Sequence, residues 1–503
     1  MTIYPHPAAE TVTAGLSLRA ALAGLPVIGR DEPIAREAVA ADFAERYSGV
    51  PAVGLARPEP AVLYTGVLPD AAGPADATDP PAGPVPPVPS GRPVPPVLLG
   101  LYGDEDRVRG WLPGLPRHTT PRSAAALVAA GLPPVRTDTA PCQQVVAGEV
   151  DLRELPVLTA TPRDAGPYLT AALVHAGDAA TGGSALSAHR MLVIGRDRLT
   201  VWMVPGRRLG QLHQEAVARG ERLPVTVNIG VPPAAMIASA INSRFLPTGS
   251  DKLTVAGGLA GAPVGLVPAL TQPGATALAE SEIVLEGFLD GTLADEALPG
   301  SPPDGSLPEF LGYDGRARSG LPVLTVTGVT TRRDPLYQAV IGPGREQSHI
   351  LGAAGALSVA LSLPSAPALH VHDLHFSPAG GGMLLLAVAV RKESAEGDRA
   401  LAALAEEVVR RHPFVKTVLF TDDDVRIRSA EELLWALTTR ANLGADCVEL
   451  PGHPPVPMDP SQTAEWAGER GGPPEAPART FVDATTPYRL RTRTERSFRS
   501  AQS

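Results

Sequence analysis

The sequence predicts a mixed α/β and α+β multidomain fold: an N-terminal α/β domain, a central β-barrel-like domain and a C-terminal α/β domain. Three observations predict it. At 503 residues the chain is longer than one hydrophobic core organises. Its texture changes twice, because strand and helix signals alternate to about Leu132, short β-type runs dominate from Val135, and alternation returns from Leu321. Two stretches dense in proline and glycine, 68–95 and 452–479, punctuate it. The expected domains are 1–130 with a Pro-rich insertion at 68–95, 131–320, 321–450, and a Pro/Gly-rich segment with a tail at 451–503.

In the first domain the apolar spacing from Ser17 to Tyr47 is helical, with Asp31-Glu-Pro opening a second helix over Ile34 to Phe43. Ala61-Val-Leu-Tyr and Pro96-Val-Leu-Leu-Gly-Leu-Tyr102 are strands, and 68–95 between them is a flexible spacer. The middle domain carries β-type runs at 142–146, 152–158, 168–174, 190–195 and 199–204. A helix follows from Leu209 to Arg219, stopped by Gly220, and another from Pro232 to Ala240, whose prolines sit where a missing N–H costs nothing. Strands resume at Val264 and over Ile283 to Leu289. In the last domain strands at Val323–Val329, Met383–Val390 and Thr417–Phe420 alternate with helices at Gly352–Leu361, Asp398–Arg411 and Ala430–Arg440.

Composition narrows the function. A net charge of −10 and a sequence pI near 5.6 oppose a nucleic-acid partner, which needs a basic stripe. No apolar run is long enough to cross a bilayer and no charged-then-apolar leader opens the sequence, so the expectation is a soluble cytoplasmic protein without a membrane partner. Two cysteines, Cys142 and Cys447, make no disulfide framework. The phosphate loop with its lysine, the dinucleotide glycine fingerprint, paired CxxC, HExxH and GxSxG are all absent. His370 and His372 share a strand face, with His349 and His375 nearby, but strand histidines are more often solvated or hydrogen-bonded than metal ligands.

Four features carry chemistry. Asp304 and Glu309 stand on a Gly/Pro-rich loop beside Leu307, Phe310 and Leu311, where apolar neighbours would raise a carboxyl pKa toward neutrality; two solvated acids are the alternative. Arg190 directly precedes the apolar run Met191-Leu-Val-Ile194, a place suited to gripping a carboxylate with both guanidinium nitrogens or to pairing with a structural acid. Arg207-Arg208 open a helix and could neutralise a phosphate or form a solvated patch. Ser239 lies in a small-residue helix end that lets a ligand approach closely.

Together these segments resemble the UbiD family of decarboxylases, which use prenylated FMN. The resemblance covers roughly 100–450 in the family's order. It runs through Pro141-Cys-Gln-Gln-Val-Val, Leu152-Arg-Glu-Leu-Pro-Val157, Tyr168-Leu-Thr-Ala-Ala-Leu-Val and His189-Arg-Met191. It continues in Gly230-Val-Pro-Pro-Ala234, Ser281-Glu-Ile-Val-Leu-Glu-Gly287, Glu309-Phe-Leu-Gly-Tyr313 and Thr331-Arg-Arg-Asp-Pro335. Asp422-Asp-Asp-Val425 and Leu434-Trp-Ala-Leu-Thr-Thr-Arg440 complete it, with an echo at Phe481-Val-Asp-Ala-Thr-Thr-Pro487. It implies that the middle domain is a split β-barrel of flavin-reductase-like type holding the cofactor. It implies a homo-oligomer, a flavin prenyltransferase as cofactor supplier, and an aromatic or α,β-unsaturated carboxylic acid as substrate. By register Arg190, Asp304 and Glu309 become the catalytic set, with Arg190 orienting carboxylate or cofactor, Glu309 protonating the carbon that loses CO₂, and Asp304 supporting Arg190. The anion left by CO₂ loss from an sp² carbon needs an electron sink that side chains do not supply.

The sequence departs from the family where a divalent metal bridges to the cofactor phosphate. The asparagine position is Ala185, the histidine position falls near Arg208, and the glutamate position appears as Asp251; a lysine expected near Ala389 is absent. One carboxylate holds a metal poorly. Arg190, Arg207 and Arg208 with Ser239 and Asp251 are therefore the expected cofactor contacts, without metal. The alternative is a degenerate relative that has lost the cofactor and serves as a partner or a different lyase.

Overall fold

The computed structural model describes residues 12–47, 58–68, 93–177, 182–308, 312–313, 315–456, 459–470, 479–494 and 496. Most of the 68–95 insertion, and Glu309, lie outside these. The chain forms two units: Met1–Leu115 with Ala130–Ser243 and Pro247–Gln347, and Pro116–Ala129 with Arg244–Leu246 and Ser348–Ser503.

The first unit is built on a nine-stranded antiparallel sheet curled into a half-barrel. Its two long strands, Ile283–Ala294 and Leu321–Thr331, pair along their length. Register shifts between Glu286 and Gly287 and between Leu289 and Leu293 add the local twist that lets the sheet coil. Ile283, Leu285 and Leu289 enter the main core, while Val284 joins Cys142, Val267 and Ala277 in a second cluster. Burial on both faces explains why the segment reads as a continuous apolar run rather than an alternation. The expected boundary at 320 is thus corrected. Leu321–Thr331 belongs to the barrel sheet, because its partners Ile283–Ala294, Arg198–Val201 and Val145–Val146 lie there. A four-stranded sheet of Val27–Arg30, Ala61–Tyr64, Val97–Leu99 and Tyr337–Gln338 completes the N-terminal part. Val27–Arg30 falls within the stretch expected to be helical; its parallel pairing with Ala61–Tyr64 overrides local propensity.

Several motifs behind the resemblance turn out to join the framework. Glu282, wholly buried, accepts from Arg19 Nε and Nη2 at 2.9 and 2.8 Å, from the Leu336 N–H at 3.1 Å, and pairs with Arg332 at 3.3 Å. The 281–287 and 331–335 motifs are therefore tied by one carboxylate. Gly230 lies in the left-handed region at φ 67°, and a Cβ there would stand 2.5 Å from Glu282 Cγ. Glu286 accepts from the Leu270 N–H at 2.9 Å and from the Thr271 N–H and hydroxyl, pinning that turn to the barrel. Glu282→Ala removes the buried acid that Arg19 and Arg332 share, so the first unit should lose about 3 kcal/mol, measured by denaturant unfolding; a loss under about 1 kcal/mol would contradict this role.

The second unit is a five-stranded sheet in the order Leu369–Phe376, Leu385–Lys392, Thr417–Asp422, Arg479–Ala484, Cys447–Leu450. Arg479–Ala484, expected in the tail, is an inner strand, parallel to Thr417–Asp422. The helix Pro121–Ala129, expected in the first domain, groups here, where the Thr119 N–H donates to Asp373 at 2.7 Å. Arg440 reaches Asp424 with both Nη atoms at 2.7 Å and Asp422 at 2.8 Å, and Asp422 accepts from the Thr486 N–H at 2.8 Å. His372 meets His118 in a tilted contact at 4.9 Å between ring centroids, and His375 meets the Arg428 guanidinium. Among the described residues no helix is long and apolar enough to span a membrane, and no three His, Cys, Asp or Glu side chains converge as a metal centre.

Candidate active site

Arg190 enters through a hairpin. Met191–Val193 pairs with Arg198–Val201, and the Trp202 N–H donates to the Arg190 carbonyl, so both side chains leave the hairpin at one end. The guanidinium lies 5.4 Å from the Trp202 ring centroid, and Arg318 stacks on the same ring at 4.7 Å. Arg190 Nη2 donates to Glu296 Oε2 at 2.8 Å. Glu296 Oε1 accepts from the Tyr168 hydroxyl at 3.1 Å and Oε2 from the Arg318 N–H at 3.2 Å. Side-chain exposure is 12% for Arg190 and 1% for Glu296, so this pair operates largely out of water. Burial pushes the Glu296 carboxyl above its ordinary range, with Arg190 and the Tyr168 hydroxyl pulling it back down.

The expected catalytic set is thus only partly assembled among the described residues. Arg190 has an acid partner. That described partner is Glu296, whereas Asp304 is exposed on a turn at φ 55°, its carbonyl accepting from the Ala317 N–H. Glu309 lies outside the described residues. Sequence reasoning missed Glu296 because Ala294-Asp-Glu-Ala has no period, spacing or neighbouring glycine to distinguish it from a solvated loop acid. Trp202 and Tyr168 were read only as parts of strands.

A second group lies around the strand Ser184–Ala188, against which the helices Arg208–Ala218, Pro233–Ala240 and Lys252–Ala260 pack. The two adjacent arginines part company here. Arg208 pairs with Glu215 on its own helix at 3.1 Å. Arg207, at the N-cap of that helix with no side-chain cap bond, is desolvated enough to lower its pKa. Ser239 donates its hydroxyl to the Met236 carbonyl at 2.7 Å, leaving its own carbonyl turned to Lys252. Asp251 caps the helix Lys252–Ala260 through Oδ1, accepting from the Thr254 N–H and hydroxyl at 2.8 and 2.9 Å, while Oδ2 accepts from Ser184 at 3.1 Å. Ala185, the position expected for asparagine, is buried, and its side chain has no polar atom to bind a metal. His189 is held between the Trp202 carbonyl on Nδ1 and Ser187 Oγ on Nε2, at 2.9 and 2.8 Å, and burial takes it down to about 4.

Lys252 was not anticipated. It is 7% exposed, and its ammonium donates to the carbonyls of Leu186, at 2.9 Å, and Ser239. Burial first, then the like charge of Arg207, lower it from 10.5 to about 7. Between those values the unfolded chain binds more protons than the folded one, so stability rises with pH across that window. The flavin-free protein should gain up to about 1.4 kcal/mol per pH unit from this lysine between about pH 7 and 10, a slope that Lys252→Met abolishes; unfolding midpoints of the two proteins across that range check it.

Known proteins resemble this chain along most of its length. The family model described as the 3-octaprenyl-4-hydroxybenzoate carboxy-lyase Rift-related domain, named UbiD, matches residues 134–346, and that of the carboxy-lyase C-terminal domain matches 349–472. Gallate decarboxylase of Lactiplantibacillus plantarum is 31% identical over 351 residues, 69% of this chain and 71% of that protein. The apo 3,4-dihydroxybenzoic acid decarboxylase AroY of Klebsiella pneumoniae superposes with a TM-score of 0.81 at 28% identity, over 96% of this chain and 97% of that one. An evolved dimeric form of the UbiD-class enzyme HmfF of Pelotomaculum thermopropionicum, in complex with prFMN, superposes with a TM-score of 0.72 at 26% identity, over 96% of each chain.

Proposed function

The chain belongs to the UbiD family of carboxy-lyases, and from that premise we propose that it decarboxylates an aromatic or α,β-unsaturated carboxylic acid without net oxidation, using prenylated FMN. Phenolic acids are favoured, because relatives similar to this chain along most of its length are named for gallate and 3,4-dihydroxybenzoic acid. The observation that carries the reading is the Arg190–Glu296 pair, largely withdrawn from water against Trp202. A decarboxylase needs a fixed cation that grips an anionic group and is itself held by an acid, and a solvated arginine is too mobile for that.

The residues present fit a flavin phosphate better than a metal. Arg207 brings an incompletely hydrated guanidinium to the open N-terminus of an eleven-residue helix, a donor set suited to an anion. The Asp251 oxygens and both His189 ring nitrogens already have protein partners, so no step is routed through a metal ion. When bound, prenylated FMN supplies the electron sink for the carbanion equivalent. In this reading Arg190 orients the substrate carboxylate, Glu296 and Trp202 hold Arg190 in plane, and Glu309 delivers the proton to the carbon vacated by CO₂. Asp304, proposed from register as the support of Arg190, gives that role to Glu296. A flavin prenyltransferase supplies the cofactor, and the enzyme works as a homo-oligomer in the cytoplasm.

The test is co-expression with a flavin prenyltransferase, followed by an absorbance spectrum, mass spectrometry of the released ligand, and deuterium exchange into catechol and pyrogallol products in D₂O. A coloured protein that exchanges the ring proton supports the proposal. A colourless protein free of flavin, with no CO₂ release from either acid, would favour the cofactor-free partner instead.

A further inference from the structure

Three cation-bearing groups converge on the strand Ser184–Ala188: Lys252, Arg207 and His189. The last is neutral, with both ring nitrogens engaged, and it faces the charges of Lys252 and Arg207. Two groups able to carry positive charge therefore remain, and a bound anion would favour the charged form of Lys252. No carboxylate is among the groups acting on the Lys252 ammonium, and none acts on Arg207 among the described residues. Asp251 is adjacent in sequence, yet its oxygens are turned to Thr254 and Ser184. Two desolvated cations without an acid are costly in an empty protein and become favourable once an anion arrives.

The carbonyl oxygens of Leu186 and Ser239 sharpen the point. Paired main-chain oxygens beside a carboxylate are the usual ligands of a hard cation, but here the Lys252 ammonium donates to both. An ammonium has three donors; two are used inward, and one is left for a ligand. The helix Arg208–Ala218 begins beside this group with no side chain capping its first N–H groups.

We propose that Lys252 takes the place of a divalent metal ion in this chain, so that its buried ammonium and the Arg207 guanidinium hold the phosphate of the flavin directly. The inference rests on the flavin reading above and adds to it how the cofactor is anchored. A flavin phosphate carries close to two negative charges at neutral pH, which the two cations balance. Lys252 is a binding residue with no part in bond making, and its effect appears in cofactor retention rather than in turnover of the loaded enzyme.

The experiment uses the full chain and FMN as the probe, with riboflavin, which lacks the phosphate, as control. Binding is followed by flavin fluorescence after EDTA treatment and again with added Mn²⁺. FMN affinity is expected to agree within about twofold between the two conditions, and metal analysis of the flavin-loaded protein should find far less than one Mn²⁺ per chain. Lys252→Met should weaken FMN about 30-fold, the loss of one charged hydrogen bond from a desolvated site, while riboflavin binding changes little. Arg207→Gln provides a second variant with the same expected selectivity for FMN over riboflavin. Metal-dependent FMN binding by the parent protein, or a Lys252→Met variant that keeps the parent preference for FMN over riboflavin, would overturn the proposal while leaving the flavin reading intact. If the parent protein binds no flavin under any condition, both fall.

Discussion

Replacing Arg190 by lysine is expected to lower kcat/KM for decarboxylation roughly a thousandfold while leaving flavin content unchanged. The guanidinium lies on Trp202 and donates through Nη2 to Glu296, and in the proposed mechanism it must also orient a bound anion. A planar fork can satisfy these together, because its donors are fixed relative to one another. A lysine ammonium is a point charge on a flexible stem, so reaching Glu296 leaves nothing oriented toward substrate. Flavin content separates this effect from misfolding, since the proposed phosphate anchor around Arg207 and Lys252 lies on other elements. A variant that kept more than about a tenth of the parent activity would show that charge alone suffices and that the fork geometry is incidental.

The second large effect is expected at Glu296. Glu296→Gln preserves shape and keeps an oxygen for Tyr168, but removes the charge that pairs with Arg190. Turnover should fall about a hundredfold, in keeping with a group that positions another through a largely buried ion pair. A pH profile discriminates this positioning role from a merely structural one. Burial raises the Glu296 carboxyl, so the fold favours its neutral form at low pH, and that contribution is lost as pH rises through the folded-state value. Below that value Arg190 faces a neutral acid. The acid limb of kcat/KM in the parent protein should therefore sit above the ordinary glutamate range, and Glu296→Gln should remove that displacement along with the activity. Asp304→Asn, by contrast, alters an exposed turn and should change kcat/KM by less than about threefold. A profile in which Asp304→Asn, rather than Glu296→Gln, erased the limb would return the role to Asp304.

The motifs that make the family legible in the sequence are largely structural here. Glu282 and Arg332 hold two strands together, Glu286 pins a turn, and Arg440 binds Asp422 and Asp424 in the second unit. These residues are recognisable because buried charges demand particular partners, which restricts what can stand at each position. The same logic makes Arg190 stand out, as a charge set against an apolar strand. Glu296 carries no such mark, for an acid in a loop after a strand is ordinary until the chain folds Tyr168 and Arg190 onto it. Lys252 was passed over for a related reason. The acid beside it, Asp251, resembles a ligand in sequence and serves as a helix cap in space.

The sequence by itself determined the mixed α/β multidomain class and the membership of the family, and it singled out Arg190 as a candidate. The class follows from local periodicity and from glycine and proline at turns, the candidate from a charge that local pattern does not explain, and the family from the ordered resemblance of its motifs. Only the tertiary structure decided that the strand Leu321–Thr331 closes onto the barrel sheet, that Arg479–Ala484 is an inner strand, and that Arg208 turns to Glu215 while Arg207 does not. It alone placed Glu296 on Arg190 and an ammonium between the carbonyls of Leu186 and Ser239. The physical reason is common to all of these. Strand partners, ion-pair partners and the loss of solvent around a charge are set by residues distant in sequence, and no local pattern encodes which distant residue arrives.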